Sequence, residues 1–388
     1  MAQIASIQRA IDDIRIGRMV ILVDDEDREN EGDLVVAAEK VTPEAIAFMV
    51  EHGRGLICLA MDNQLMDRVG VSPMASANQA PLSTAFTESI DAVDCQGSGV
   101  SPADRAHTIL RAVASDATAD HFQVPGHVFP LRARRGGVIV RSGQTEGSVD
   151  LARLAGLSPA GVICEVMAED GSMSRLDALL QFGEEHNIPV VTVADLIEYR
   201  LHSETLVTLE ASSQLPTAWG TFRLNVFRSG LDDALHVALT LGELDANQPT
   251  IVRVQRANLL GDAFGLSGAK GRPHLAYSMQ LVAEQGAGAI VYLATDEDAN
   301  DLVGNLRRYL ARNDQSTADS APTGGAGKVE FKDFGVGAQI LRQLGLGKLR
   351  VLTNNPKTMR GVSGFGLEIV DWLPLGAPSA NLNEGRGV

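Results

Sequence analysis

Asp24-Asp25-Glu26-Asp27-Arg28-Glu29-Asn30-Glu31-Gly32-Asp33 stands between two apolar runs, residues 19–23 and 34–38. Each run is short and rich in valine, isoleucine and leucine, which reads as a buried strand. The connection between them holds seven carboxylates in ten residues. Charges of one sign packed this closely repel, and a cation or a binding partner is needed to offset that cost. A solvated acidic turn is the plain reading of such a run. Two details favour chemistry instead. Arg28 lies inside the run, as a donor for a phosphate or hydroxyl, and Gly32 permits a tight backbone that lets the flanking carboxylates converge. An oxygen-rich cluster of this kind suits Mg²⁺, which is usually held by one or two carboxylates together with water and substrate.

Outward from this loop the first half alternates strand-like and helix-like segments. Thr42-Pro43-Glu44 opens a helix with a capping residue, a proline at its first position and an early acid, and Gly53 closes it. Ser101-Pro102-Ala103-Asp104 opens another in the same way. Residues 137–141, 161–167 and 189–193 read as strands; 149–155, 176–186 and 194–199 read as helices. Residues 71–84 and 116–135 read as long loops, which in a compact domain usually carry function. A boundary falls near residues 201–207, and a second α/β pattern follows. There 231–239, 275–285, 301–311 and 337–344 read as helices, and 250–254, 289–294 and 349–353 as strands. Residues 313–328, rich in Ser, Thr, Gly, Ala and Asp, read as a mobile insertion.

Composition narrows the function classes. The formal net charge of -16 over 388 residues disfavours a nucleic-acid partner. A phosphorylated small molecule needs only a local nest of donors. Cys58, Cys95 and Cys164 are few and far apart, which argues against a disulfide framework and a cysteine zinc site. Ile4, Ile7, Ile11 and Ile14 recur at helical spacing between charged residues, as an amphipathic helix and not a signal core. No apolar run approaches a membrane span, so the expected compartment is the cytoplasm.

The acidic run resembles the signature loop of 3,4-dihydroxy-2-butanone 4-phosphate synthases. The resemblance continues, in the family's order, through Ser83-Thr84-Ala85-Phe86-Thr87, Gly99-Val100-Ser101-Pro102-Ala103-Asp104-Arg105 and Pro125-Gly126-His127-Val128-Phe129-Pro130-Leu131. It ends with Arg141-Ser142-Gly143-Gln144-Thr145-Glu146 and Gly161-Val162-Ile163-Cys164-Glu165. It implies an α+β synthase domain over 1–202, with mixed sheets and surrounding helices. The implied activity is that of a lyase of riboflavin biosynthesis, acting on ribulose 5-phosphate with Mg²⁺ or Mn²⁺ and expelling formate. By the same resemblance His127 and Glu165 are catalytic, and Arg28, Glu29 and Asp33 contact the sugar. Arg141, Ser142, Gly143, Gln144 and Thr145 form the phosphate-contacting turn, and Glu29 and Gln144 hold the metal. The family usually has histidine where this chain has Gln144. An amide oxygen is a harder and weaker donor than imidazole, and Mg²⁺ tolerates the change better than softer metals do. The resemblance also implies a homodimer. A non-catalytic sugar-phosphate or nucleotide-binding protein of the same pathway is the alternative.

Residues 207–376 resemble GTP cyclohydrolase II, an α/β domain. The clearest stretches are Leu349-Arg350-Val351-Leu352-Thr353-Asn354-Asn355-Pro356-Lys357 and Gly366-Leu367-Glu368-Ile369-Val370. That family holds zinc with three cysteines. Their places fall on Asn258, Ala269 and Gly271, and there is no cysteine after Cys164. The family's nucleotide segment falls on the acidic stretch Ala294-Thr295-Asp296-Glu297-Asp298-Ala299. The expectation is a second domain without zinc and without GTP hydrolysis, acting as a scaffold, a dimer-stabilising unit or a regulatory module.

Overall fold

The computed structural model describes residues 3–26, 28–82, 84–257, 262, 274–294, 331–354 and 365–375. The chain divides into two compact units, Met1–Ser203 and Glu204–Val388. Each is built on a seven-stranded mixed sheet with helices.

In the first unit the strands are β1 (Val20–Val23), β2 (Gly32–Ala37), β3 (Cys58–Met61), β4 (Ile90–Ala92), β5 (Phe122–Arg132), β6 (Ala160–Glu165) and β7 (Val190–Thr192), in the order β4-β5-β3-β6-β2-β1-β7. The acidic run joins the antiparallel neighbours β1 and β2, with Val23 opposite Gly32. The helices are α1 (Ile7–Arg15), α2 (Pro43–Phe48), α3 (Asn63–Val69), α4 (Pro102–Val113), α5 (Gln144–Leu154), α6 (Leu176–His186) and α7 (Val193–Ser203). The side-chain period of two sorts each strand onto two faces. Leu34, Val36, Leu59, Met61, Val162 and Cys164 point into one apolar core with residues of α2, α3, α4 and α6. The intervening positions face α5. That helix lies close to the sheet because Gly161 leaves it room: a Cβ there would stand 2.5 Å from the Ser148 Cβ.

Helix α5 is buried almost along its whole length, yet it carries Gln144, Thr145, Glu146, Ser148 and Asp150. Buried polar groups require partners. Asp150 accepts from the Val138 amide at 2.9 Å and pairs with Arg200 at 2.7 Å, and Arg200 also donates to the Gly136 carbonyl at 2.8 Å. These bonds shape the turn that leads into residues 141–143.

The start signals act as read. Thr42 accepts from the Ala45 amide and Ser101 from the Asp104 amide. Other expectations need correction. Residues 137–141 form a 3₁₀ turn, Gly137–Ile139, and no strand; Gly136 and Gly137 both take positive φ, 91° and 63°, which breaks an extended run. The helix expected over 149–155 begins at Gln144. The loop expected over 116–135 contains β5, whose prolines and glycine obscured it; β5 pairs with β3 and, irregularly, with the short β4. Ile4 precedes the Ser6 cap of α1 and lies outside the helix.

In the second unit the strands are β8 (Val207–Thr217), β9 (Gly220–Ser229), β10 (Leu235–Leu241), β11 (Thr250–Arg256), β12 (Gly288–Leu293), β13 (Lys348–Leu352) and β14 (Glu368–Leu373), in the order β14-β13-β11-β12-β10-β9-β8. Strands β11 to β14 are mutually parallel, and β8, β9 and β10 pair antiparallel. Helices α8 (His274–Gln285) and α9 (Phe331–Gln343) pack on β12. The core gathers Phe222, Leu239, Ile251, Met279, Val282, Ile290 and Leu352. The segment 231–239, read as a helix, is a turn followed by β10. Its apolar spacing fits either period, and pairing with β9 and β12 settles it as strand. The sequence reading gave no elements for 207–230, where β8 and β9 form a long hairpin. The helix expected at 301–311 and the insertion expected at 313–328 lie outside the described residues. No helix among the described residues is long and apolar enough to cross a membrane.

Candidate functional site

The acidic loop is organised around Asp24. Its side chain is fully buried and accepts from the Glu31 amide at 2.9 Å, the Glu29 amide at 3.3 Å and the Arg28 guanidinium. The Asp24 amide donates to the Glu31 carbonyl at 3.1 Å and closes the loop at its neck. From outside, Arg175 donates to the carbonyls of Glu29, at 2.8 Å, and Asn30. A run of repelling carboxylates thus becomes a closed turn with guanidinium groups of Arg28 and Arg175 at two sides.

A second segment meets this loop from 116 residues downstream. Gln144, the first residue of α5, is buried beside it. Its Nε2 donates to the Glu31 carbonyl at 3.3 Å, which turns Oε1 toward Arg28. Arg28 Nη1 donates both to Gln144 Oε1, at 3.0 Å, and to Glu29 Oε2, at 2.8 Å. The Glu29 carboxylate and the Gln144 amide oxygen therefore converge on the same cationic nitrogen that the Asp24 carboxylate anchors. Both donors are hard oxygens, so the pair fits a hard divalent ion that keeps part of its water. No group of three His, Cys, Asp or Glu side chains among the described residues is arranged to hold a metal.

Beneath the loop the sheet presents a row of polar groups. Asp33 on β2 lies opposite Glu165 on β6. Glu165 Oε2 accepts from the Leu56 amide at 2.8 Å. Cys58 on β3 pairs with both Ile163 and Phe129, so β3 runs between the strand that carries Glu165 and the strand that carries His127. His127 Nδ1 meets the Asp91 carboxylate at 2.7 Å, and the His127 amide donates to the same group at 2.9 Å. Asp91 is buried while the imidazole is half-exposed. A buried carboxylate on one ring nitrogen fixes the ring and leaves the other nitrogen for proton transfer.

Of the two facing carboxylates, Asp33 is the buried one. Burial, then the charges of Glu165, Glu29, Asp24 and Glu31, hold the Asp33 carboxyl well above the usual carboxylate range. Glu31 is raised by burial and by Glu29. Cys58 is buried close enough to Glu165 and Asp33 for their charges, added to burial, to push its thiol up.

The corner beside Gln144 is cationic. Arg141 pairs with buried Glu146 at 2.5 Å and donates to Thr84 Oγ1 at 3.0 Å and to the Leu82 carbonyl at 3.3 Å. A Cβ on Gly143 would stand 2.8 Å from a guanidinium nitrogen of Arg28 and of Arg141 alike. Glycine at this place lets two cations and the start of an 11-residue helix share one space, an arrangement suited to a phosphate. Ser142 forms the turn before it, and Thr145 lies buried in the first helical turn.

Of the residues picked from sequence, Arg28, Glu29, Asp33, Arg141, Gly143, Gln144 and Glu165 come together in this way, and His127 lies on β5, one strand removed from the β6 strand of Glu165. Sequence reasoning missed Asp24 as the centre of the loop, Asp91 behind His127, Glu146 behind Arg141 and Arg175 behind Glu29. Asp24 and Glu146, each inside a quoted motif, carried a local signal, and Asp91 and Arg175 did not. In the second unit, Asn354 Oδ1, just beyond β13, accepts from the Leu375 amide at 2.9 Å. Asn258, Ala269, Gly271, residues 295–299, and Asn355 with Pro356 lie outside the described residues, as does Ser83.

Comparison with known proteins identifies the family of each unit. Residues 8–199 match the family model described as 3,4-dihydroxy-2-butanone 4-phosphate synthase, and residues 208–374 that described as GTP cyclohydrolase II. The riboflavin biosynthesis protein RibBA of Aquifex aeolicus is 47% identical over 374 residues, covering 95% of this chain and 92% of that protein. The chloroplastic monofunctional riboflavin biosynthesis protein RIBA 2 of Arabidopsis thaliana is 45% identical, covering 96% and 77%. Among solved structures, RibBX from A. baumannii, described as a two domain 3,4-dihydroxy-2-butanone 4-phosphate synthase, superposes with a TM-score of 0.74 at 35% identity; the match covers 96% of this chain and 100% of RibBX. The chain belongs to the riboflavin biosynthesis family in which a 3,4-dihydroxy-2-butanone 4-phosphate synthase domain precedes a GTP cyclohydrolase II domain.

Proposed function

We propose that the first domain converts ribulose 5-phosphate to 3,4-dihydroxy-2-butanone 4-phosphate and formate with the residues described above. The observation that carries this reading is the convergence of Glu29 and Gln144 on one cationic nitrogen beside the Asp33–Glu165 pair. The sugar phosphate supplies every atom of both products, so the reaction needs proton transfer and charge stabilisation and no redox partner. Arg141, Ser142, Gly143 and Thr145 bind the phosphate. Arg28, Glu29 and Asp33 orient the sugar hydroxyls. His127, held by Asp91, and Glu165 move protons on and off the carbon chain through its enediol, water loss and rearrangement. Glu29 and Gln144 would hold Mg²⁺ or Mn²⁺, which supplies Lewis-acid stabilisation to adjacent oxygens.

The amide at residue 144 has a measurable consequence. Gln144→His is expected to tighten Mn²⁺ binding by about tenfold relative to Mg²⁺, since imidazole suits the softer ion. Formate release by wild type and variant, with each metal, reads this out. Absence of formate from the wild type with either metal would leave the binding-protein alternative in its place.

Two further elements belong to the reading. A homodimer is favoured by exposed Leu56, Val93, Val100 and Val124, which lie on the segments around the His127–Asp91 and Glu165 groups. A second copy covering them would remove apolar surface from water beside the site. The second domain, residues 207–376, lacks zinc and does not hydrolyse GTP. The support is the absence of any cysteine after Cys164, in a family whose zinc is held by three cysteines. RibBX, which matches over both domains, is likewise described by the synthase activity. Purified protein is therefore expected to contain no stoichiometric zinc and to leave GTP intact. Zinc near one equivalent together with GTP consumption would contradict this part of the reading.

A further inference from the structure

Arg28 carries more than a substrate contact. Its Nη1 holds three acceptors at once: the buried Asp24 carboxylate, Glu29 Oε2 at 2.8 Å and Gln144 Oε1 at 3.0 Å. The side chain is only 12% exposed, so these bonds are little weakened by water. Glu29 and Gln144 are the two oxygens proposed above for the divalent ion. A guanidinium nitrogen and a metal ion cannot both occupy the space between them.

We infer that Arg28 is a built-in competitor for the divalent ion, so that metal entry and release of the guanidinium from Glu29 and Gln144 are one linked event. The inference rests on the assignment of Glu29 and Gln144 as metal donors. Asp24 remains as the anchor of the displaced guanidinium, and Gly143 leaves space on its far side, where an Arg28 nitrogen already lies 2.8 Å from the position a Cβ would take. Released from two acceptors, Arg28 has donors to offer the phosphate corner shared with Arg141. Linkage is reciprocal: whatever factor the metal contributes to freeing Arg28 for an anion, the anion returns to the metal. Gln144 is matched to this role. Its Nε2–H bond to the Glu31 carbonyl fixes the amide so that the oxygen faces Arg28.

The test is Mn²⁺ binding to the full-length protein, followed by electron paramagnetic resonance in the absence of sugar phosphate. Arg28→Met removes the competitor, and Arg28→Gln is a second variant should the first fail to fold, with thermal unfolding as the check. Both are expected to bind Mn²⁺ about tenfold more tightly than wild type, the scale of releasing one charged hydrogen-bonded group. Unchanged or weaker affinity in both folded variants overturns the inference. Glu29→Gln separates this from failure of the site itself. If that variant binds Mn²⁺ as wild type does, the metal assignment is wrong; if it loses binding while the Arg28 variants show no gain, only the competitor role is wrong.

Discussion

Exchange of His127 for Asn is expected to lower formate release by about 10²–10⁴-fold, the range supplied by a positioned acid–base group. The thermal midpoint should move little, because the ring is half-exposed and its main bond is to one carboxylate. Asp91→Asn tests the same proton path from behind. Asp91 is 1% exposed and accepts from both the ring and the amide of His127. An amide in its place holds the ring without stabilising the imidazolium. The loss should therefore fall mainly on kcat. Equal activity in wild type and His127→Asn would remove His127 from the mechanism.

Asp33→Asn is expected to separate stability from activity. Burial and neighbouring carboxylates keep the proton on Asp33 to higher pH than in the unfolded chain. An unfolded aspartate ionises near pH ~3.9. Between that pH and the raised folded value, the folded state binds more protons than the unfolded one. Stability contributed by this group is then fully present below the unfolded value and is lost as pH rises through the folded one. Removing the charge removes that loss. The variant should melt a few degrees above wild type at neutral pH, and the advantage should shrink toward pH ~4. Turnover at low substrate should nevertheless fall by about tenfold or more, because a carboxyl contact to the sugar is gone. A lower melting temperature at neutral pH would show that the Asp33 charge is compensated by groups other than those around it here.

The parts of the site that were legible in the sequence are those whose chemistry is local. The acidic loop could be read because Arg28 and Gly32 lie among its seven carboxylates, within ten residues. The starts of α2 and α4 could be read because Thr42 and Ser101 bond within their own first turns. Strand β5 could not be read, because Pro125, Gly126 and Pro130 are breakers in isolation and its extension is imposed by β3. Asp91 was invisible for a similar reason: it is one acid in a three-residue strand, and only the fold brings it to His127 from 36 residues away. The start of α5 at Gln144, with no side-chain cap at Gly143, shows the same limit. Its stability comes from burial against the sheet and from the Glu146 and Asp150 networks, none of which a one-dimensional pattern displays.

These features make one physical claim, that residues from the amino-terminal loop and from the start of α5 form a single cation-dependent site for sugar-phosphate cleavage. The most direct measurement follows uniformly ¹³C-labelled ribulose 5-phosphate by NMR, with Mg²⁺ and either the full-length protein or its Glu29→Gln variant. The wild type should produce formate and a four-carbon ketone phosphate in equal amounts, and the variant neither. An unchanged sugar phosphate with the wild type, or equal formate from both proteins, would contradict the claim.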